Sequence, residues 1–217
     1  NSRINTLHLL MNMIITGKRI LVLGGWGLVG SAICRKLMEH KPASLIVSSL
    51  KQSEAEDAVE SLRKEFPDAD PGMFVPKWGN IFVKQEWKDA FFGDILADTD
   101  KRKGVLSDVY DELSEEILEN SALYRLIVDT KPDVVVECIN TATAIAYQDV
   151  YTSANTARRS LDSGNCDAET MEKMMSSVYI PQLIRHVQIF YKALLDADSK
   201  MYVKIGTSGK GGMGLNI

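Results

Sequence analysis

The sequence predicts an α/β fold built on a doubly wound parallel sheet, the Rossmann-like architecture. The short apolar run at residues 20–23 is typical of a strand buried on both faces of a parallel sheet. Apolar residues then recur at helical spacing, at Val29, Ile33 and Leu37. A second apolar run follows at residues 43–48. Strand, helix and strand therefore follow one another within about 30 residues, as a βαβ unit requires.

The turn after the first strand carries two overlapping glycine patterns. Gly25, Gly27 and Gly30 give G-x-G-x-x-G, and Gly24 with the last two gives G-x-x-G-x-x-G. In such turns one glycine allows a tight bend, one lets the backbone approach a pyrophosphate, and one lets the helix pack closely on the strand. Phosphates bind the free N–H groups at the positive end of the helix. The pattern predicts a dinucleotide site that also includes Trp26, Leu28 and Val29. The alternative is a flexible turn that binds nothing.

The end of the second strand bears on which dinucleotide fits. Ser48 stands where such folds often place an acidic residue on the ribose 2′-OH, and Ser49 and Lys51 follow. Hydroxyls and an ammonium suit a 2′-phosphate, which a carboxylate would repel. These residues predict NADP as cofactor and leave NAD open. The alternative is that all three are only solvated loop residues.

The remaining pattern extends the fold and divides the chain. Residues 1–17 are expected to form an N-terminal extension, and residues 18–217 the dinucleotide-binding domain. A charged stretch at 82–119 is predicted to be an insertion of one or two surface helices with a solvated face. A polar stretch at 158–168 is expected to be mobile. Further helices are predicted at 54–66, 115–128 and 169–195, the last interrupted at Pro181, and further strands at 73–76, 134–139 and 201–205.

The composition excludes several classes of function. The 217 residues are 45% apolar and 25% charged, with a formal net charge of -4, which gives no reason to expect nucleic acid or an anionic membrane as partner. The apolar stretch at 7–15 is shorter than the roughly 20 residues that span a bilayer. Three cysteines without disulfide spacing suit a reducing, cytoplasmic setting, and three histidines without ligand spacing argue against a metal site. The sequence leaves open whether the protein forms a homodimer.

Several short motifs resemble the extended short-chain dehydrogenase/reductase family, which includes sugar-nucleotide epimerases and dehydratases. The glycines of the turn match the family's phosphate loop, and Ser48, Ser49 and Leu50 stand where it often has Asp-Asn-Leu. Gly79, Asn80 and Ile81 are similar to its Gly-Asp-Ile after the third strand. Residues 132–136 look like its fourth strand. The resemblance covers residues 19–214.

The resemblance implies cofactor contacts and a reaction class. It places Asn80 and Ile81 near the adenine, and Ile139, Asn140 and Thr141 along the cofactor after the fourth strand. It also places the catalytic hydroxyl after the fifth strand, at Ser208 or at Thr207. The implied activity is that of an NAD(P)-dependent oxidoreductase, epimerase or dehydratase acting on a small molecule.

One part of the family's pattern is absent from the chain. Its proton-transfer pair is Tyr-x-x-x-Lys, in which the Lys ammonium helps a phenol to act near neutral pH. No Tyr in this sequence has Lys four positions later. The chain is therefore predicted to be the cofactor-binding part of a longer enzyme without its substrate subdomain. The alternative is a non-catalytic sensor or interaction module that binds the cofactor.

Overall fold

The computed structural model describes residues 15–140 and 150–206. Three predicted site residues, Thr141, Thr207 and Ser208, lie outside the described residues. The chain divides into two compact units, and each is described by itself. Unit 1 comprises Asn1–Gly79, Leu126–Ile139 and Ala193–Ile217, and unit 2 comprises Asn80–Arg125 and Asn140–Lys192.

Unit 1 contains a parallel sheet whose strand order confirms the predicted fold class. Its strands are β1 (Arg19–Leu23), β2 (Ser44–Ser49), β3 (Phe74–Trp78), β4 (Val134–Glu137) and β5 (Met201–Lys204). They lie in the order β3-β2-β1-β4-β5, and every neighbouring pair is parallel. On one side of β1 lie β2 and then β3, and on the other side lie β4 and then β5. The switch point beside β1 is where open α/β sheets bind their ligands, outside the carboxyl ends of the strands.

Burial of β-branched and aliphatic side chains explains these strands. The buried stretch of β1 reads Ile-Leu-Val-Leu, so the strand is covered on both faces. One face packs against two helices, α1 (Leu28–Met38) and α2 (Gln52–Glu65). Burying one such aliphatic side chain contributes about 1.5–3 kcal/mol. The core on this face includes Ile20, Val22, Leu45, Val47, Val134 and Val136 from the strands, with Cys34, Leu37, Val59 and Leu62 from the helices.

Helices form most of the described part of unit 2. Its helices are α3 (Phe92–Ala97), α4 (Thr99–Tyr110), α5 (Glu115–Asn120), α6 (Ala122–Thr130), α7 (Val150–Asp162), α8 (Ala168–Ser177) and α9 (Tyr179–Asp196), of which α6 and α9 continue into unit 1. Side chains of Asp98, Ser114 and Asp167 accept hydrogen bonds from backbone N–H groups in the first turns of α4, α5 and α8. These short polar residues fix where each helix begins.

Two predictions about this part of the chain were wrong in detail. The stretch at 82–119 is not simply a solvated face, because Val83, Ile95 and Val105 form a buried cluster within it. The helix predicted at 115–128 breaks at Ser121, whose side chain accepts from the N–H of Tyr124 at 3.4 Å. The polar stretch at 158–168 is helical as far as Asp162, and its mobility stays a prediction.

The break predicted at Pro181 is confirmed, since α9 begins at Tyr179 and Pro181 lies in its first turn. Proline is tolerated there because the first-turn N–H groups have no partner within the helix. No helix of the described residues is both long enough and apolar enough to cross a membrane.

Candidate functional site

The glycine-rich turn leaves β1 through a tight bend held by β2. Gly24 adopts a φ of +78°, a conformation that side chains rarely adopt. The N–H groups of Gly24 and Gly25 both donate to the carbonyl oxygen of Ser48, each at 2.9 Å. A Cβ atom on Gly24 would lie 3.1 Å from Cγ1 of Ile139. Ile139, which follows β4, therefore lies against the turn.

The two later glycines of the motif meet opposite surroundings. A Cβ on Gly30 would lie 2.1 Å from the carbonyl oxygen of Gly24, so the close approach of α1 to the turn requires glycine. A Cβ on Gly27 would meet only that same oxygen, at an ordinary 3.5 Å. Packing within the protein therefore explains Gly30 but not Gly27.

The N-terminus of α1 presents unused donors. Among the described residues, none accepts a hydrogen bond from the N–H of Leu28, Val29 or Gly30, and the first turn contains no acidic side chain. The Leu28 residue is 93% exposed, and Trp26 and Val29 are about half exposed. Trp26 also lines a cavity of about 170 Å³ together with Ser31, Arg35 and Asp57. An exposed helix N-terminus of this kind attracts anions.

The end of β2 carries a carboxylate that the sequence analysis missed. Ser49 Oγ donates to Glu54 Oε2 at 2.7 Å, and the N–H of Lys51 donates to the same oxygen at 3.3 Å. Ser48 is buried, and its carbonyl holds the glycine turn. The available signal was the position of Glu54, three residues after the N-cap Lys51, where a glutamate reaches back to cap its helix.

A second missed cluster lies at the carboxyl ends of β4 and β5. Glu137 is 2% exposed, and Tyr202 Oη donates to its Oε2 at 2.5 Å. Lys204 Nζ lies 2.5 Å from the other carboxylate oxygen and donates to the carbonyl of Ile139 at 2.6 Å. The ammonium compensates the buried carboxylate and holds the backbone that follows β4.

The phenol of this cluster and the two thiols of the sheet region are not activated as nucleophiles. Burial and the neighbouring carboxylate raise the pKa of Tyr202, so the phenol stays protonated. Burial also raises the pKa of Cys138 to about 11 and that of Cys34 to about 12. Both thiols are therefore protonated at neutral pH and serve as packing groups.

The structure separates the predicted residues between the two units. In unit 1 it brings together the glycine turn, Ser48 and Ile139. Asn80, Ile81 and Asn140 belong to unit 2. There the N–H of Asn80 donates to Lys88 O at 2.7 Å and its Oδ1 accepts from the N–H of Phe82, while Ile81 is buried and Asn140 exposed.

Comparison with known proteins adds no family assignment. No family model matches the chain, and no curated protein matches it. Among solved structures, it is similar to Pen from Bacillus thuringiensis, with 14% identity, a TM-score of 0.37 and 93% of this chain covered. The chain spans 55% of the length of that protein.

Two further solved structures match most of their own length. A MalC reductase/Diels-Alderase from Malbranchea aurantiaca matches with 10% identity and a TM-score of 0.33, covering 89% of this chain and 95% of that one. A short chain dehydrogenase from Mycobacterium smegmatis matches with 10% identity and a TM-score of 0.31, covering 91% and 95%. The fold assignment rests on the sheet order itself.

Proposed function

We propose that unit 1 binds a dinucleotide of the NAD(P) class, with the pyrophosphate on the N–H groups of Leu28, Val29 and Gly30. The observation that carries the proposal is the contrast between Gly27 and Gly30. Gly30 is required by contacts inside the protein, whereas a Cβ at Gly27 would make one ordinary contact and Gly27 directly precedes three donors without an acceptor among the described residues. A bound pyrophosphate supplies the missing reason for glycine at that position.

Glu54 favours NAD over the NADP that the sequence predicted. The prediction of NADP rested on Ser48, Ser49 and Lys51, which stand at the end of β2 in place of a carboxylate. The carboxylate of Glu54 lies there, 2.7 Å from the hydroxyl of Ser49. A carboxylate accepts hydrogen bonds from a ribose 2′-OH and repels a 2′-phosphate.

The proposed activity is that of an oxidoreductase of the short-chain dehydrogenase type. When bound, the nicotinamide supplies the hydride chemistry. The chain's own residues hold the diphosphate, through α1, and select the ribose, through Ser49 and Glu54. The family resemblance assigns polarisation of the substrate oxygen to Ser208 or Thr207. The absent Tyr-x-x-x-Lys favours a second candidate, a module that binds the dinucleotide without chemistry.

The first experiment is calorimetric titration with NAD⁺, NADH, NADP⁺ and NADPH. We expect saturable binding to the wild-type chain, and loss of it in Gly27→Ala and Gly27→Asp, which fill the space beside the donors. Gly72→Ala is the matched control, because Gly72 precedes β3 and so lies at the amino ends of the parallel strands, whereas the glycine turn follows the carboxyl end of β1. Unchanged affinity in Gly27→Asp would contradict the proposal.

The second experiment tests the choice of cofactor. Glu54→Gln keeps the size of the side chain and removes its charge. We expect it to lower the ratio of NAD⁺ affinity to NADP⁺ affinity by roughly tenfold, which corresponds to about 1.4 kcal/mol. Glu56→Gln is the control, because Glu56 is an exposed residue of the same helix, two positions after Glu54. A wild-type preference for NADP⁺ would show that Glu54 does not select the ribose.

A third experiment separates the enzyme from the module. NADH oxidation is measured with a panel of aldehydes and ketones, before and after Ser208→Ala. Turnover that falls in the variant supports the oxidoreductase. Tight dinucleotide binding without turnover of any carbonyl supports the module.

A further inference from the structure

Unit 2 encloses a cavity of about 400 Å³ that the dinucleotide proposal does not use. Most of its wall is apolar and includes Phe82, Phe91, Phe92, Val105, Val109 and Ile189. The polar side chains on the wall include Lys84, Asp108, Gln182, Arg185 and His186. An apolar cavity of this size with a few convergent polar groups is the usual form of a small-molecule site.

Arg185 is a buried cation with unused donors. The residue is 8% exposed, and its Nη2 donates to the carbonyl oxygens of Asp111 and Val109. Its Nε and Nη1 atoms are buried and have no acceptor among the described residues. A buried donor without an acceptor is destabilising, and a charged one more so. The carbonyl contacts of Nη2 therefore account for part of the guanidinium, and its Nε and Nη1 donors are left unexplained by the fold.

A second buried arginine of unit 2 shows how this cost is normally avoided. Arg102 is 1% exposed, and its Nε lies 3.0 Å from the carboxylate of Glu172. Its Nη1 donates to the carbonyl of Leu96 at 2.9 Å. Arg102 is compensated by a carboxylate in hydrogen-bond contact, whereas the acceptors of Arg185 among residues 15–140 and 150–206 are carbonyl oxygens.

The other charges on the cavity wall leave a place for an anion. Lys84 Nζ lies 3.5 Å from the carboxylate of Asp108, so these two residues pair with each other. The ring of His186 packs against Phe82 with centroids 4.8 Å apart, and against Phe190 at 5.9 Å. With Lys84 and Asp108 paired, the charge of Arg185 makes the wall favourable to a single negative charge.

We propose that this cavity binds a small carboxylic acid with an apolar body, whose carboxylate accepts hydrogen bonds from the unused N–H donors of Arg185. The phenylalanines and aliphatic side chains hold the apolar body. Because Nε and Nη1 are covered by neighbouring atoms, binding requires the guanidinium to turn toward the cavity. A compact dianion such as phosphate fits less well, since most of the wall offers it no donor. The proposal is independent of dinucleotide binding.

The test is calorimetric titration with phenylacetate and hexanoate, and with phenylacetamide as the neutral counterpart. We expect both acids to saturate the wild-type chain, and the amide to bind more weakly. Arg185→Met should weaken the acids by roughly tenfold to a hundredfold, the range for a charged hydrogen bond, and leave the amide unchanged. Arg158→Met is the control, because Arg158 lies on an exposed face of α7, 3.5 Å from Asp162.

Two results would overturn the proposal. One is equal affinity for phenylacetate and phenylacetamide, and the other is the failure of both acids to saturate. If Arg185→Met does not fold, the variant is replaced by proton–nitrogen correlation NMR of the ¹⁵N-labelled wild type titrated with phenylacetate. The Arg185 Nε–H signal and the amides of Phe82, Phe92 and Ile189 must then shift, and shifts confined to other residues would refute the site. Gly27→Asp should bind phenylacetate normally, which separates this outcome from that of the dinucleotide proposal.

Discussion

The glycine turn of unit 1 and the cavity of unit 2 both hold unused hydrogen-bond donors, but their surroundings differ. The donors of the turn are backbone N–H groups at an exposed helix end, where water satisfies them at little cost. The Nε and Nη1 donors of Arg185 are buried and have no acceptor among the described residues. An unused donor therefore signals a ligand for different reasons in the two regions. In the turn the signal is glycine geometry, and in the cavity it is the energetic cost of an unpaired charge.

Substitution of Gly30 should give the largest effect in unit 1. Gly30→Ala places a Cβ 2.1 Å from the backbone oxygen of Gly24, so we expect a loss of more than about 3 kcal/mol in the free energy of unfolding. Urea denaturation followed by circular dichroism measures it. Gly27→Ala should cost no more than about 1 kcal/mol, the order of the difference between Gly and Ala at a helix N-cap, while still abolishing dinucleotide binding. Equal destabilisation by both variants would remove the distinction between the two glycines.

The two buried arginines provide the next comparison. Arg102→Met leaves the carboxylate of Glu172 without its partner, and we expect a loss of about 3 kcal/mol. Arg185→Met removes a charge that has no carboxylate in hydrogen-bond contact within the described part of the chain, so the free energy of unfolding should change by less than about 1 kcal/mol or rise. Thermal and urea unfolding of both variants measure the difference. A large loss in Arg185→Met would show that the guanidinium has a structural partner.

Asp108, on the cavity wall, should make a smaller contribution to the free energy of unfolding than the two arginines, and that contribution depends on pH. Burial raises the pKa of its carboxyl from 3.8 to about 6, while Lys84 and Arg185 act in the opposite direction. The folded state therefore holds this proton more tightly than the unfolded state does. Stability from this group is present below about pH 4 and is lost as pH rises through 6.

Asp108→Asn removes that dependence. Relative to wild type, we expect the variant to gain free energy of unfolding, on the order of 1 kcal/mol, between pH 4 and pH 7. Urea denaturation at several pH values measures the gap between the two proteins. Asp100→Asn, at the exposed start of α4, is the control. If the difference in free energy of unfolding between the two proteins stays constant with pH, the pKa of Asp108 is not raised in the folded state.

Much of unit 1 was predictable because its signals are local. The apolar run of β1, the helical spacing after it and the glycines between them all lie within 20 consecutive residues. Each strand was predicted to within about two residues at either end. Segment 82–119 was harder, because its helices are short and its charges include Arg102, which burial conceals. Nothing in the local pattern distinguishes that arginine from the exposed ones around it.

The sequence by itself determined the doubly wound sheet and the turn beside it, because alternation of strand and helix and the glycine spacing are properties of neighbouring residues. Only the tertiary structure decided which charges are buried and which are paired. Tyr202 reaches Glu137 across 65 residues, Arg102 reaches Glu172 across 70, and Arg185 reaches Asp111 across 74. Burial and pairing depend on such long-range contacts, and they determine which buried polar groups remain without a partner.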